Sequence, residues 1–233
     1  MPPALLLDLD GTLTDPRVGI VRCIQHALRR LARPCPAEAV LATCIGPPLR
    51  GTFATLLATS DRDAIEQAMT LYRERFAEVG LFENEVYDGI PAALGELARR
   101  GHSMFVATSK PAVFSERIVR RFDLARHFAG VYGPSLEGRF DDKAELLAHL
   151  LEAERLSHGS TVMIGDRAGD ITAARANGVR SIGVLWGYGS REELLDAGAD
   201  VLCAEPRGLM ACVASGPPPA APRTLSPASP ARG

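Results

Sequence analysis

Residues 4–7, Ala-Leu-Leu-Leu, are an unbroken apolar run that ends abruptly in Asp8-Leu9-Asp10-Gly11-Thr12. A run this short, with no polar alternation, reads as a strand buried on both faces, as in a parallel sheet covered by helices. Side chains two apart in a strand point the same way, so Asp8 and Asp10 are expected to leave its carboxyl end together. Open α/β sheets place their ligands at that end. Two carboxylates on one side of a buried strand end repel each other and lose hydration. A bound cation or a shared proton would resolve the conflict. Taken alone, the pair also fits a solvated Asp-Gly turn.

The rest of the chain supplies the sheet. From Tyr87 onward, short apolar strands (103–107, 128–132, 161–164, 181–185, and an edge strand at 200–203) alternate with amphipathic helices (90–100, 112–121, 141–156, 167–177). That rhythm implies parallel pairing through right-handed crossovers, a doubly wound Rossmann-like α/β sheet. Residues 17–84 differ. Apolar positions at helical spacing over 19–32, a short helix after Pro36, a helix over 49–57 and a longer one capped by Ser60-Asp61 give a helical bundle without a convincing strand. The expected organisation is a core made of 1–16 and 85–213, an inserted helical bundle at 17–84, and a disordered tail at 214–233 rich in Ala, Pro and Ser.

At 233 residues and 46% hydrophobic content the chain can bury a core of this kind. A net charge of −2 with no basic block argues against a nucleic-acid polymer or an anionic membrane as partner. No apolar run reaches the length of a membrane span, and Met1-Pro2-Pro3 does not open a secretory signal, so a cytoplasmic protein is expected. The five cysteines form no C-x-x-C pair and fit reduced thiols rather than disulfides or zinc.

Polar residues gather where strands meet helices. Strand 103–107 runs into Thr108-Ser109-Lys110-Pro111, a hydroxyl-bearing helix start suited to a phosphate. The helix over 141–156 opens with Asp141-Asp142-Lys143, and strand 161–164 ends in Gly165-Asp166 with Asp170 one helical turn later, on the same expected helix face. One sheet edge would gather Asp8, Asp10, Thr108, Lys143, Asp166 and Asp170. Lys110 and Lys143 are the only lysines in an arginine-rich chain, and both fall at these junctions. A lone Lys among Arg suggests a need for a compact ammonium. A function is therefore expected for Lys143, while Lys110 fits a functional or a solvated turn position equally well.

The order D-x-D-G-T, T-S-K-P after a strand, a later Lys, and G-D-x-x-x-D resembles the haloacid dehalogenase-like phosphohydrolases over nearly the whole chain except the tail. Asp8-Leu9-Asp10-Gly11-Thr12-Leu13 is similar to that superfamily's first motif, Thr108 to its second, Lys143 to its third, and Gly165-Asp166 with Asp170 to its fourth. The helical insertion resembles the family's mobile cap. Gly46-Pro47-Pro48-Leu49, Tyr87-Asp88-Gly89-Ile90 and Gly187-Tyr188-Gly189-Ser190 resemble the branch of phosphoglycolate phosphatases and 5′-nucleotidases.

The resemblance implies a Mg²⁺-dependent phosphomonoester hydrolase acting on a small phosphorylated metabolite as a monomer or homodimer, phosphoglycolate phosphatase-like or, alternatively, a 5′-nucleotidase. Asp8 would be the nucleophile and Asp10 the acid and base. Thr108, Ser109 and Lys143 would bind the phosphoryl oxygens. Asp8, the backbone carbonyl of Asp10, and Asp166 would hold Mg²⁺, with Asp170 a further ligand or an outer acceptor. Arg50, after Gly46-Pro47-Pro48-Leu49, is the cap-side candidate for substrate charge, and fits a solvated helix start equally well. Phe53, Tyr72 and Phe76 offer an aromatic shelf, yet their spacing also fits packing. Asp10 argues against a hydrolytic dehalogenase, and the absence of lysine from 17–84 argues against a phosphonatase. A hexose-phosphate mutase stays open, as does a non-catalytic phosphate binder. A signalling receiver domain would lack the insertion.

Overall fold

The computed structural model describes residues 2–215. The chain begins with β1 (Ala4–Leu7), which lies in the middle of a six-stranded sheet. Leu5 and Leu7 bury one face of β1 in the larger apolar cluster, and Leu6 buries the other in a second cluster with Phe105, Leu147 and Met163. Burial on both sides is why the run has no polar alternation.

After β1 come β2 (Thr14–Asp15), α1 (Arg17–Arg30), α2 (Glu38–Ala42), α3 (Leu49–Leu57), α4 (Arg62–Glu78) and β3 (Glu85–Val86). β2 and β3 pair antiparallel, so the chain enters and leaves the helical stretch side by side. A two-residue ribbon carries no periodicity, and the sequence gives no sign of it. Asp15 Oδ1 accepts the Arg17 N–H at 3.0 Å, so its side chain serves the start of α1, with Pro16 at the N-cap. Asp61 caps α4 by accepting the Asp63 N–H.

The remaining elements alternate as the sequence implies: α5 (Ile90–Arg99), β4 (Met104–Ala107), α6 (Ala112–Arg121), β5 (Gly130–Tyr132), α7 (Lys143–Ala153), β6 (Thr161–Gly165), α8 (Ala168–Ala176), β7 (Arg180–Val184), α9 (Arg191–Asp196), β8 (Val201–Cys203) and α10 (Leu209–Ala214). The sheet order is β5-β4-β1-β6-β7-β8, all parallel. The chain builds outward from β1 through β4 to β5, then returns to build through β6 on the other side. β1 is therefore the switch point of a doubly wound sheet, where a crevice opens at the strand ends. Of the tail expected to be disordered over 214–233, Ala214 closes α10, and residues from 216 on lie outside the described residues. Among the described residues, no helix is long and apolar enough to cross a membrane.

Candidate active site

Sheet register brings the polar strand ends level. Leu7 pairs with Val106 on one side and with Ile164 on the other, so Asp8 emerges between the end of β4 and the end of β6. The Asp8 N–H still donates to Ile164 O at 2.9 Å, which fixes the backbone where the side chain departs. Thr108 is held similarly, its N–H donating to Tyr132 O at 3.0 Å. Lys143 is the first residue of α7, behind an N-cap formed by Asp142, which accepts the N–H groups of Ala144 and Glu145.

Asp166 and Asp170 do converge, for a reason other than a shared helix face. α8 starts at Ala168, so Asp166 belongs to the strand end, while Asp170 sits in the first helical turn and reaches back to accept the Arg167 N–H at 2.9 Å. Glycines make the space that Asp166 occupies. A Cβ on Gly11, whose φ is +85°, would lie 2.2 Å from Asp166 Oδ2, and one on Gly187 would lie 2.4 Å from the same oxygen. The Tyr188 N–H donates to Asp166 Oδ2 at 2.8 Å. The Gly187-Tyr188-Gly189 loop is thus part of the wall around this carboxylate.

Asp8, Asp166 and Asp170 each place a carboxylate oxygen within 4.8 Å of the others, and all three are buried. Lys143 Nζ donates to Asp8 Oδ1 at 2.9 Å and also contacts Asp170 Oδ1. Burial and the neighbouring Asp170 and Asp8 push Asp166 well above the ordinary carboxylate value. Asp170 rises to about 6, chiefly through burial, against the pull of Lys143. Burial lowers Lys143, but Asp170 and Asp8 more than reverse this and hold it above the ordinary ammonium value. Three carboxylates facing one ammonium leave surplus negative charge in a buried place. That donor set of hard oxygens fits Mg²⁺.

The Asp10 carboxylate stands apart from this group. Its Oδ2 lies 2.6 Å from Lys110 Nζ, and its Oδ1 is buried without a hydrogen-bond partner among the described residues. Burial raises Asp10 above the usual carboxylate range, only partly offset by Lys110. Lys110, which the sequence left between two readings, is buried at 9% exposure and is not a solvated turn residue.

A cavity runs from Asp8 and Asp10 past Thr108, Ser109 and Lys110 to the helical insertion. Ile20 from α1 and Met69, Tyr72 and Phe76 from α4 form its far wall. Arg50 lines the cavity, but its guanidinium is engaged by Glu66 and approaches Asp141 at 3.8 Å. Arg73, which sequence reasoning missed, lines the same cavity and makes no ion pair among the described residues. Its Nε is buried without an acceptor, and burial followed by the nearby Arg50 lowers its affinity for the proton. Phe53 points away into the core, edge-on to Tyr72.

Comparison with known proteins agrees with this geometry. A 5′-nucleotidase of Pseudomonas aeruginosa is 50% identical over 192 residues, which cover 82% of this chain and 86% of that one. The tyrosine-protein kinase PtkA of Mycobacterium tuberculosis is 36% identical over 84% of this chain and 66% of its own longer length. A phosphoglycolate phosphatase of Xanthomonas campestris is 29% identical over 88% of this chain and 93% of that one. Among solved structures, a predicted phosphatase from Clostridium acetobutylicum superposes with a TM-score of 0.88 at 36% identity, covering 92% of this chain and 99% of that one. The family model for haloacid dehalogenase-like hydrolases matches residues 5–184, the span that runs from β1 through β7 and holds every group of the cavity floor. The chain belongs to the haloacid dehalogenase-like hydrolases.

Proposed function

We propose that the chain is a Mg²⁺-dependent phosphomonoesterase that works through a phosphorylated Asp8, with nucleoside 5′-monophosphates as its substrate class. The observation that carries this reading is the buried group of Asp8, Asp166 and Asp170 closed on one side by Lys143. Asp8, Asp166 and Asp170, with the main-chain carbonyl of Asp10, would hold Mg²⁺, which when bound supplies positive charge to the phosphoryl oxygens.

The chain's own residues account for the rest. A carboxylate at neutral pH is already a nucleophile and needs no base. One Asp8 oxygen bonds to phosphorus as the bond from phosphorus to the ester oxygen breaks. Asp10, whose burial favours the protonated form, gives its proton to that oxygen, which leaves as an alcohol. Water then attacks phosphorus and passes a proton to Asp10, and Asp8 is released with inorganic phosphate. Thr108, Ser109 and Lys143 stabilise the equatorial oxygens during both transfers. Residues 17–84 act as a cap over the core formed by 1–16 and 85–213. The β2–β3 ribbon is the stem between them.

The apolar wall of Ile20, Met69, Tyr72 and Phe76 suits a flat leaving group with an apolar face, and the P. aeruginosa relative bears the name of a 5′-nucleotidase. Phosphoglycolate is the second reading, because the unpaired guanidinium of Arg73 would suit a carboxylate. Phosphate release from 5′-nucleotides and from 2-phosphoglycolate, with Mg²⁺ and with chelator, tests both. Chelator-sensitive release favouring nucleotides supports the proposal, a preference for 2-phosphoglycolate moves it to the second reading, and no release from a folded protein ends it.

A further inference from the structure

Lys110 is a buried cation with no obvious part in holding the phosphoryl group, and its backbone is held by its neighbours. Its backbone N–H donates to Thr108 Oγ1 at 3.3 Å, and its carbonyl accepts the Ser115 hydroxyl at 3.3 Å. Gly133 packs so closely that a Cβ there would lie 2.3 Å from that carbonyl oxygen. From this anchored backbone the side chain brings Nζ to 2.6 Å from Asp10 Oδ2, an ion pair outside hydrogen-bond geometry. The ammonium also lies over the ring of Phe76, whose centroid is 4.6 Å from Nζ. Phe76 comes from α4 in the helical insertion, is 2% exposed, and is itself fixed by stacking on Tyr72 and meeting Phe114 edge-on.

A carboxylate that must exchange a proton with a leaving oxygen has to keep one oxygen free and hold the other still. Asp10 has that arrangement: Oδ2 sits against Lys110, and Oδ1 is buried with no partner among the described residues. We infer that Lys110 is a positioning residue for proton transfer, clamping Asp10 by Oδ2 so that Oδ1 meets the leaving oxygen, and that Phe76 completes the clamp from the insertion. The aromatic face attracts the ammonium and excludes water from the ion pair. The clamp is therefore complete only when the insertion is packed on the core.

This inference rests on the proposed role of Asp10 as the acid, and leaving-group dependence separates the two. Nitrophenolate leaves without protonation, whereas the alcohol of an alkyl phosphate does not. Lys110→Met, Phe76→Leu and Asp10→Asn would be compared in the Mg²⁺-loaded full-length protein. The readouts are kcat on an alkyl phosphate and the pre-steady-state burst of nitrophenolate from 4-nitrophenyl phosphate. For Lys110→Met the alkyl kcat should fall about 100-fold with KM changed less than about threefold, while the burst rate falls less than about fivefold. Phe76→Leu, which keeps most of the packing, should shift the same ratio in the same direction by about 5-fold. Equal losses on both substrates, or no loss, would overturn the clamp. If Asp10→Asn shows no dependence on the leaving group, the acid role itself fails. If it does and both other variants do not, only the clamp fails.

Discussion

At the sheet edge the protein buries Asp8, Asp166, Asp170 and Lys143 against one another, each fixed by a strand end or a helix start. The wall that the helical insertion sets opposite is made of Ile20, Met69, Tyr72 and Phe76, and Arg50 and Arg73 line the same cavity. The edge is electrostatically strained and geometrically rigid; the wall is mostly apolar, with two arginines beside it. Such a split lets one part carry the chemistry while the other sets what is admitted. A substitution at the edge should therefore act on kcat or metal affinity, and one on the wall on KM, except at Phe76, which also covers Lys110.

The largest effect is expected at Lys143. Lys143→Met should lower kcat by about 10²–10³-fold, because it removes the cation against Asp8, the proposed nucleophile. A loss confined to KM would contradict its place in the edge.

Metal binding comes next in size. Ligand at 100 times its dissociation constant stabilises the native state by about 2.7 kcal/mol, so Mg²⁺ should raise Tm and chelator reverse the gain. Asp166→Asn should lose most of that response. Without metal, the variant should melt above the wild type, since Asp166 is a buried carboxylate among like charges. Calorimetry with and without Mg²⁺ reads both signs.

On the wall, Arg73→Ala should raise KM about tenfold and leave kcat within about threefold. A matching fall in kcat would place Arg73 in the chemistry and blur the division.

The smallest effect concerns how the insertion is held. Glu83 accepts from Arg75 at 2.8 Å and from Arg22 at 2.6 Å, and Arg75 first, then Arg22, keep it below the ordinary carboxylate value of 4.5. A depressed carboxylate stabilises the fold above its unfolded value and loses that contribution as pH falls through its folded value. The wild type should thus exceed Glu83→Gln by about 1 kcal/mol at pH 7, and the margin should shrink as pH drops below 4.5. Urea unfolding across pH 3–7 would show it.

How far the sequence reveals this division differs between its two sides. The edge was readable because its groups sit at fixed steps from strand ends: once residues 4–7 are a strand, register alone levels Asp8 with Thr108 and Asp166. The cap at Asp61 marked the start of α4, whereas the helix read over 141–156 runs from Lys143 to Ala153, because Asp142 caps it from outside. The wall was not readable in the same way. Tyr72 and Phe76 have the spacing of packing residues and do pack, yet they also line the cavity, which only the docking of α4 decides. Lys110 fits a functional or a solvated turn position equally well in the sequence, and only Phe76, distant along the chain, shows that it is covered. Arg50 and Arg73 are both arginines on helices of the insertion. Glu66 and Asp141 engage the first and spare the second, and nothing local distinguishes them.

The central claim is that Asp8 is the group that takes the phosphoryl. The most direct test is to mix Mg²⁺-loaded protein with an excess of phosphate-labelled nucleoside 5′-monophosphate, quench in acid within milliseconds, and map the label by peptide mass spectrometry. The account predicts label on the peptide containing Asp8, stable in acid and lost in alkali, and none in Asp8→Asn. Label on another residue, or turnover in Asp8→Asn within about tenfold of the wild type, would contradict it.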